Sequence, residues 1–269
     1  MEKEPLNHLR AIMLQCMRHV EDKRTAPQDK KAKRQKLVRT NPSDAALQAS
    51  QLHTEGYVVY RDAVRVPKAL VKAIENDKSL YSTPIFNHEI EDADKRLRLQ
   101  CPAERYGEFA PLKKQLVELL KKEHHVDNRK AAAWKIVESK AGCAVQPAHC
   151  DLRVDAVRGL SDAELPLFVL VALYESQLHV WPNSIRLLTD VDRTVYLEPI
   201  KRQTLELHPG DVVVCRVDLV HAGAAYEEFN ARLHGFLDSK SRKAPSEADR
   251  DKNYIVKRED PRLARVILE

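Results

Sequence analysis

Apolar positions along the chain change period, from helical spacing in the first half to alternation in the second. Leu6, Leu9, Ile12, Met13, Cys16, Met17 and Val20 fall at helical spacing and predict an amphipathic helix over residues 5–22. Asn41-Pro42-Ser43-Asp44 offers cap residues for a second helix over 45–53, which Gly56 stops. The run Tyr57–Tyr60 is the first strand. Pro67 then opens a helix over 68–76, and Pro111 opens another over about 110–124, with Leu112, Leu116, Leu119 and Leu120 on one face. Residues 78–103 read as irregular and charged. Strands follow at 132–139, 143–151, 165–174, 178–181, 194–199, 203–207, 212–217 and 231–237, separated by turn residues such as Pro209-Gly210. Short strands at this spacing predict an antiparallel barrel or jelly roll, mainly β with flanking helices (α+β), rather than a parallel sheet.

Composition adds boundaries. A chain of 269 residues is long enough for one large domain with extensions. Residues 23–39 hold eight Lys and Arg against the single acid Asp29, so this stretch is more positive than the whole chain, whose net charge is +5. Such a run, with Pro27 and no apolar period, predicts a linker. It reads as a targeting signal for the nucleus, an arm for nucleic acid or another anionic partner, or a solvated tether. No aromatic residue interleaves its charges, so stacking on bases has no platform there. The expected organisation is an amphipathic helix at 1–22, a basic linker at 23–40, a folded domain at 41–240 and an extension at 241–269, whose last apolar run, 263–268, could form one more element.

The five cysteines are odd in number, widely spaced and without a Cys-x-x-Cys pair, which argues against a disulfide framework or a structural zinc site. No run of eighteen apolar residues is present, and the first residues lack the apolar core of a signal peptide. No membrane span is expected, and the expected location is intracellular, cytoplasmic or nuclear.

The chemistry concentrates late in the chain. His149 and Asp151 are two apart, so on a strand they share a face while Cys150 looks away. An imidazole and a carboxylate on one face are two thirds of the facial triad that holds non-haem Fe(II). His221 follows seventy residues beyond Asp151, after the turn at Pro209-Gly210 and the strand Asp211-Val212-Val213-Val214, and Arg232 lies eleven residues further. Glu206 and His208 form a rival pair, but Leu205 and Leu207 alternate with them and take the inward face.

The order His149-x-Asp151, His221, Arg232 resembles the Fe(II)- and 2-oxoglutarate-dependent oxygenases. Residues 55–63, Gln146 before the His-x-Asp pair, and Leu178-His179-Val180-Trp181-Pro182-Asn183-Ser184 resemble the phytanoyl-CoA dioxygenase-like branch. Asn183 stands where that branch usually has Gly, a change that Asn tolerates in a left-handed conformation. The resemblance covers about residues 45–240. It implies a double-stranded β-helix (jelly-roll or cupin-like) core, Fe(II) held by His149, Asp151 and His221, and 2-oxoglutarate anchored through its remote carboxylate by the fork of Arg232. It further implies a dioxygenase that couples decarboxylation of 2-oxoglutarate to succinate and CO2 with oxidation by O2 of an organic substrate, which the sequence does not identify.

Around that constellation, Tyr174 is a candidate hydroxyl for 2-oxoglutarate, and Asn230 and His234 flank Arg232 as candidate cofactor-pocket residues, with His234 set aside as a fourth ligand. His179 and Trp181 share one strand face, turned either to the pocket or outward. His124 and His125 are expected on the surface, and 78–103 and 152–164 as loops near the site. Three other readings use parts of the same pattern: a metal-free or inactive cupin-like binding module, a metal hydrolase or isomerase with no need of Arg232, and a nucleic-acid oxidative demethylase. The last carries an Arg-x-Asn-x-Thr-like pattern after its distal His, from which Asn230-Ala231-Arg232-Leu233-His234 departs.

Overall fold

The computed structural model describes residues 51–77, 83–85, 96–152, 160–161, 163–184 and 201–240, and the backbone of 254–255. The chain divides into two units, 1–38 and 39–269, and these residues belong to the second. The helix expected at 5–22, the basic segment 23–39, the strand at 194–199, the run 263–268 and most of the loops 78–97 and 152–164 lie outside the described residues. So does most of the helix at 45–53, of which 51–54 are helical and are closed by Gly56 at φ 88°.

Two helices precede the main strands, α1 (Lys68–Asn76) and α2 (Ala110–Lys122). The strands are β1 (Tyr57–Tyr60), β2 (Thr83–Pro84), β3 (Arg98–Pro102), β4 (Arg129–Ser139), β5 (His149–Cys150), β6 (Leu167–Ala172), β7 (Ser176–Val180), β8 (Gln203–Leu207), β9 (Val212–Arg216), β10 (His221–Gly223), β11 (Asn230–Ser239) and β12 (Tyr254–Ile255). Among the described residues they form two antiparallel sheets, in the orders β1-β9-β6-β11-β4-β3-β2 and β12-β5-β10-β7-β8. This is the jelly-roll arrangement that the turn-punctuated strands predict.

The larger sheet has two apolar faces. Val212 and Val214 of β9, Val169 and Val171 of β6, Leu233 of β11 and Trp134 and Ile136 of β4 pack on Leu70 and Ile74 of α1 and Leu112, Leu116 and Leu120 of α2. On the other face Val213, Cys215, Phe168, Leu170 and Ala172 meet Leu178, Val180 and Leu207 of the smaller sheet. Burial on both faces explains why the strands at 212–216 and 167–172 read as continuous apolar runs instead of alternating ones. Each fully buried side chain of this size contributes about 1.5–3 kcal/mol, so both layers resist displacement of the strands between them.

Two expectations are corrected, and one strand is added. Residues 98–102 are a paired strand, β3, inside the stretch read as irregular; Arg98 at its start is charged yet fully buried, which hides the strand from a hydrophobicity pattern. Of 143–151 only His149 and Cys150 are strand, because Pro147 interrupts the pairing before them. The C-terminal extension contributes β12, which pairs with β5 and so borders the strand of His149.

Candidate metal and 2-oxoglutarate site

Pairing between β5 and β10 sets His221 directly opposite His149, with ring centroids 4.4 Å apart. Asp151 follows β5 in a bend held by its N–H donating to the Val217 carbonyl at 3.1 Å. The turn expected at 181–184 supports the other strand. Asn183 adopts φ 63°, the left-handed value expected where Gly is usual, and the Ser184 hydroxyl accepts from the N–H of Val220, next to His221, at 2.9 Å.

All three side chains are buried, and their ligand atoms lie within 4.8 Å of one another. Asp151 Oδ1 is 3.6 Å from His221 Nε2 and 3.9 Å from His149 Nε2. His149 Nδ1 lies 2.7 Å from the Pro147 carbonyl and His221 Nδ1 3.1 Å from the Leu219 carbonyl. A carbonyl only accepts, so both Nδ1 atoms carry the proton and both Nε2 lone pairs converge on Asp151. Burial, with His221 beside it, lowers the His149 pKa from 6.5 to about 3, and burial lowers that of His221. Burial alone would raise the pKa of Asp151; the surrounding imidazoles of His221, His234 and His149 more than offset it and hold the carboxyl below its ordinary range. Neutral imidazoles and an ionised carboxylate are the protonation states a metal ion requires.

The residues fit such an ion. Asp151 Oδ2 is buried with no hydrogen-bond partner, an arrangement that costs about 1–3 kcal/mol or more for a charged group unless a cation compensates it. His234 Nε2, at 3.5 Å, is the polar atom facing it. His234 lies outside the converging group of three, as expected, yet it belongs to the site: its ring stacks on Phe168, which also packs on His221.

The three side chains open into a cavity of about 100 Å³ between the sheets. Arg232 forms its wall, buried, with Nη1 donating to the Ser139 hydroxyl at 3.4 Å. Burial lowers its pKa, and no carboxylate pairs with it among the described residues. Gln146 closes the same end, its Oε1 accepting from Gly223 N–H at 2.7 Å and its own N–H donating to the Gly223 carbonyl at 2.9 Å. A Cβ on Gly223 would lie 2.4 Å from Gln146 Oε1 and 3.2 Å from Arg232 Nη2, so a larger residue here would push the Gln146 amide off its hydrogen bond to this strand.

Arg98 and Lys135 are charged residues that sequence reasoning missed; Lys135 lines the cavity, and Arg98 braces the segments around it. Arg98 Nη1 donates to the Ser139 hydroxyl at 3.0 Å and its Nη2 to the carbonyls of Ala144 and Ala224, tying the segments that lead to Gln146 and Gly223. Nothing in its local sequence marks it, since one Arg among the charges of Asp94, Lys95 and Arg96 reads as surface.

Other candidates lie elsewhere. Tyr174 does not reach the cavity: its hydroxyl donates to Glu75 at 3.1 Å and its ring packs edge-on against Phe229. Asn230 shares the face of Arg232, but its amide is occupied by the Glu175 carbonyl at 2.8 Å and the Ser176 hydroxyl at 3.2 Å, so it holds the β6–β7 turn and does not line the cavity. His179 turns from the cavity to Thr204, at 2.9 Å, while Leu178 lines it; Trp181 is buried outside it. Cys150 looks away, as expected, with Sγ on the Asp218 carbonyl. His125, expected on the surface, is buried against the Tyr60 hydroxyl at 2.7 Å, and burial lowers its pKa to about 4. Glu206 and His208 are exposed, as the pattern of Leu205 and Leu207 requires. The stretch 78–103 does reach the site, through Ile85 and through Gln100 of β3.

No protein-family model matches the chain, and a sequence comparison with curated proteins finds no match. Its fold does match solved structures. One is the non-heme alpha-ketoglutarate-dependent epimerase SnoN of nogalamycin biosynthesis, with TM-score 0.55, 17% identity and coverage of 74% of this chain and 84% of that one. A second is HygX from Streptomyces hygroscopicus, with nickel and 2-oxoglutarate bound, at TM-score 0.51 and 12% identity, covering 78% and 95%. A third is a prolyl hydroxylase from Trichoplax adhaerens in complex with a hypoxia-inducible-factor peptide, at TM-score 0.51 and 9% identity, covering 74% and 90%. At these identities the fold is what is shared.

Proposed function

We propose that the protein is an Fe(II)- and 2-oxoglutarate-dependent dioxygenase that hydroxylates an organic substrate. The observation that carries this is one cavity in which His149, Asp151 and His221 converge and Arg232 stands in the same wall with no carboxylate partner among the described residues. A metal hydrolase could use the three ligands, but it would leave a buried guanidinium without a task. The likeness to SnoN and HygX in fold supports the reading.

In this account His149 and His221, through Nε2, and the Asp151 carboxylate would hold the iron. Iron in such a site supplies activation of dioxygen and of the C–H bond, with 2-oxoglutarate as the two-electron reductant. The chain's own part is positioning. Pro147 and Leu219 carbonyls orient the imidazoles; Arg232 takes the remote carboxylate of 2-oxoglutarate in a two-point contact; Gln146, held by Gly223, closes the end of the cavity. Phe168 and Leu170 line the cavity beside the ligands with apolar surface. The free, buried thiols Cys101, Cys143, Cys150 and Cys215 suit a reducing, intracellular compartment.

Iron binding and succinate release test the reading together. The native chain should bind one Fe(II) and, once air is admitted, convert 2-oxoglutarate slowly to succinate without added substrate. Asp151→Ala should lose both, by at least about 100-fold in metal affinity, since it removes one ligand of three. Undiminished turnover by that variant would refute the assignment.

A further inference from the structure

Two cations face the cavity, and the proposed cofactor uses one of them. Lys135 sits on β4 with its Cα opposite His234 of β11 on one side and Pro102 of β3 on the other, and it lines the cavity between Ala133 and Val137. It is half-buried, and among the described residues it makes neither an ion pair nor a hydrogen bond. Asp151 is the one carboxylate among the described residues lining the cavity, and the metal takes it. Along β4 and β11 the neighbours of Lys135 away from Arg232 are apolar, Ala133 and Phe236.

The charges then fail to balance. A divalent metal, Arg232 and Lys135 face Asp151 and the two carboxylates of 2-oxoglutarate, with the two ligand imidazoles neutral. One positive charge is left, and it stands on Lys135. A cation in a partly desolvated wall is stabilised most by an opposite charge that arrives with a ligand. The position is also distinct from the anchor: Arg232 lies opposite Val137, one inward-facing pair further from Phe236 than the Lys135–His234 pair.

We infer that the organic substrate carries an anionic group, a carboxylate or a phosphate ester, which docks on Lys135 beside the metal while its apolar body lies against Phe236 and Ala133. This rests on the 2-oxoglutarate reading of the site, because it is that co-substrate which occupies Arg232.

The test uses the full-length chain loaded anaerobically with Fe(II) and then 2-oxoglutarate, each followed by calorimetry, before hexanoate, hexyl phosphate or hexanol is titrated in. Failure of 2-oxoglutarate to bind would fall on the cofactor reading and is seen before any probe is added. With 2-oxoglutarate bound, one or both anions should bind roughly tenfold more tightly than hexanol, and Lys135→Met should erase that difference while leaving 2-oxoglutarate affinity and the melting temperature unchanged. Which anion binds tighter identifies the head group. Equal affinity of anions and hexanol, including no binding by any of the three, overturns the inference. So does a Lys135→Met variant that weakens 2-oxoglutarate as Arg232→Ala does, since Lys135 would then belong to the co-substrate.

Discussion

The two faces of β11 carry different kinds of residue for different reasons. Toward the helices stand Ala231, Leu233 and Leu237, all fully buried in the core with Trp134 and Ile136 of the neighbouring strand. Toward the smaller sheet stand Arg232, His234 and Phe236, lining the cavity. Gly235 lies between them because a Cβ there would come within 2.2 Å of the Trp134 ring. A strand gives each residue one face and no choice, so the packing of the first face fixes where the second presents its guanidinium and imidazole. Stability and chemistry should therefore separate by face.

Substitution on the core face tests this most severely. Trp134→Ala should lower unfolding free energy by about 3–5 kcal/mol in chemical denaturation, yet leave Fe(II) affinity within about twofold wherever the chain remains folded. A large fall in affinity in the folded variant would show that the faces are not separable.

On the cavity face the converse holds. His234→Leu should leave the melting temperature nearly unchanged and weaken metal binding about tenfold, because the imidazole that faces Asp151 Oδ2 is lost; His234→Gln should recover part of it. Optical titration with Co(II) reads both the affinity and any change of ligand field. An affinity that His234→Leu leaves untouched would reduce the residue to cavity lining.

A third effect is a pH dependence on the core side. His125 is buried, with its pKa lowered from 6.5 to about 4. Between those values the unfolded chain binds a proton that the native chain does not, so the stabilisation is complete above 6.5 and is lost as pH falls toward 4. It contributes a slope of up to about 1.4 kcal/mol per pH unit in that window. His125→Gln should flatten the acid limb of the stability profile by that amount; an unchanged limb would mean His125 is protonated in the native chain.

The sequence disclosed the site better than the periphery, and physics explains the difference. The convergence of His149, Asp151 and His221, with Arg232 in the same wall, was legible because imidazole, carboxylate and guanidinium side chains stand out against the apolar strands that carry them. Asn183 was legible because a left-handed turn admits few residues. Tyr174 and Asn230 were misplaced because both sit where a strand gives way to a turn; beyond the last paired residue, alternation no longer dictates direction, and local partners, Glu75 for one and Glu175 and Ser176 for the other, decide it. Arg98 and His125 were missed for a related reason. Polar side chains buried by long-range partners, such as Ala224 and Tyr60, carry no local mark.

The most direct test of the account is the titration of 2-oxoglutarate into anaerobic protein with and without Fe(II), for the native chain and for Arg232→Ala. The account predicts saturable binding that needs the metal and that weakens on the order of 10–100-fold when the guanidinium is removed, with metal affinity itself preserved. Binding that ignores either the metal or Arg232 would contradict it.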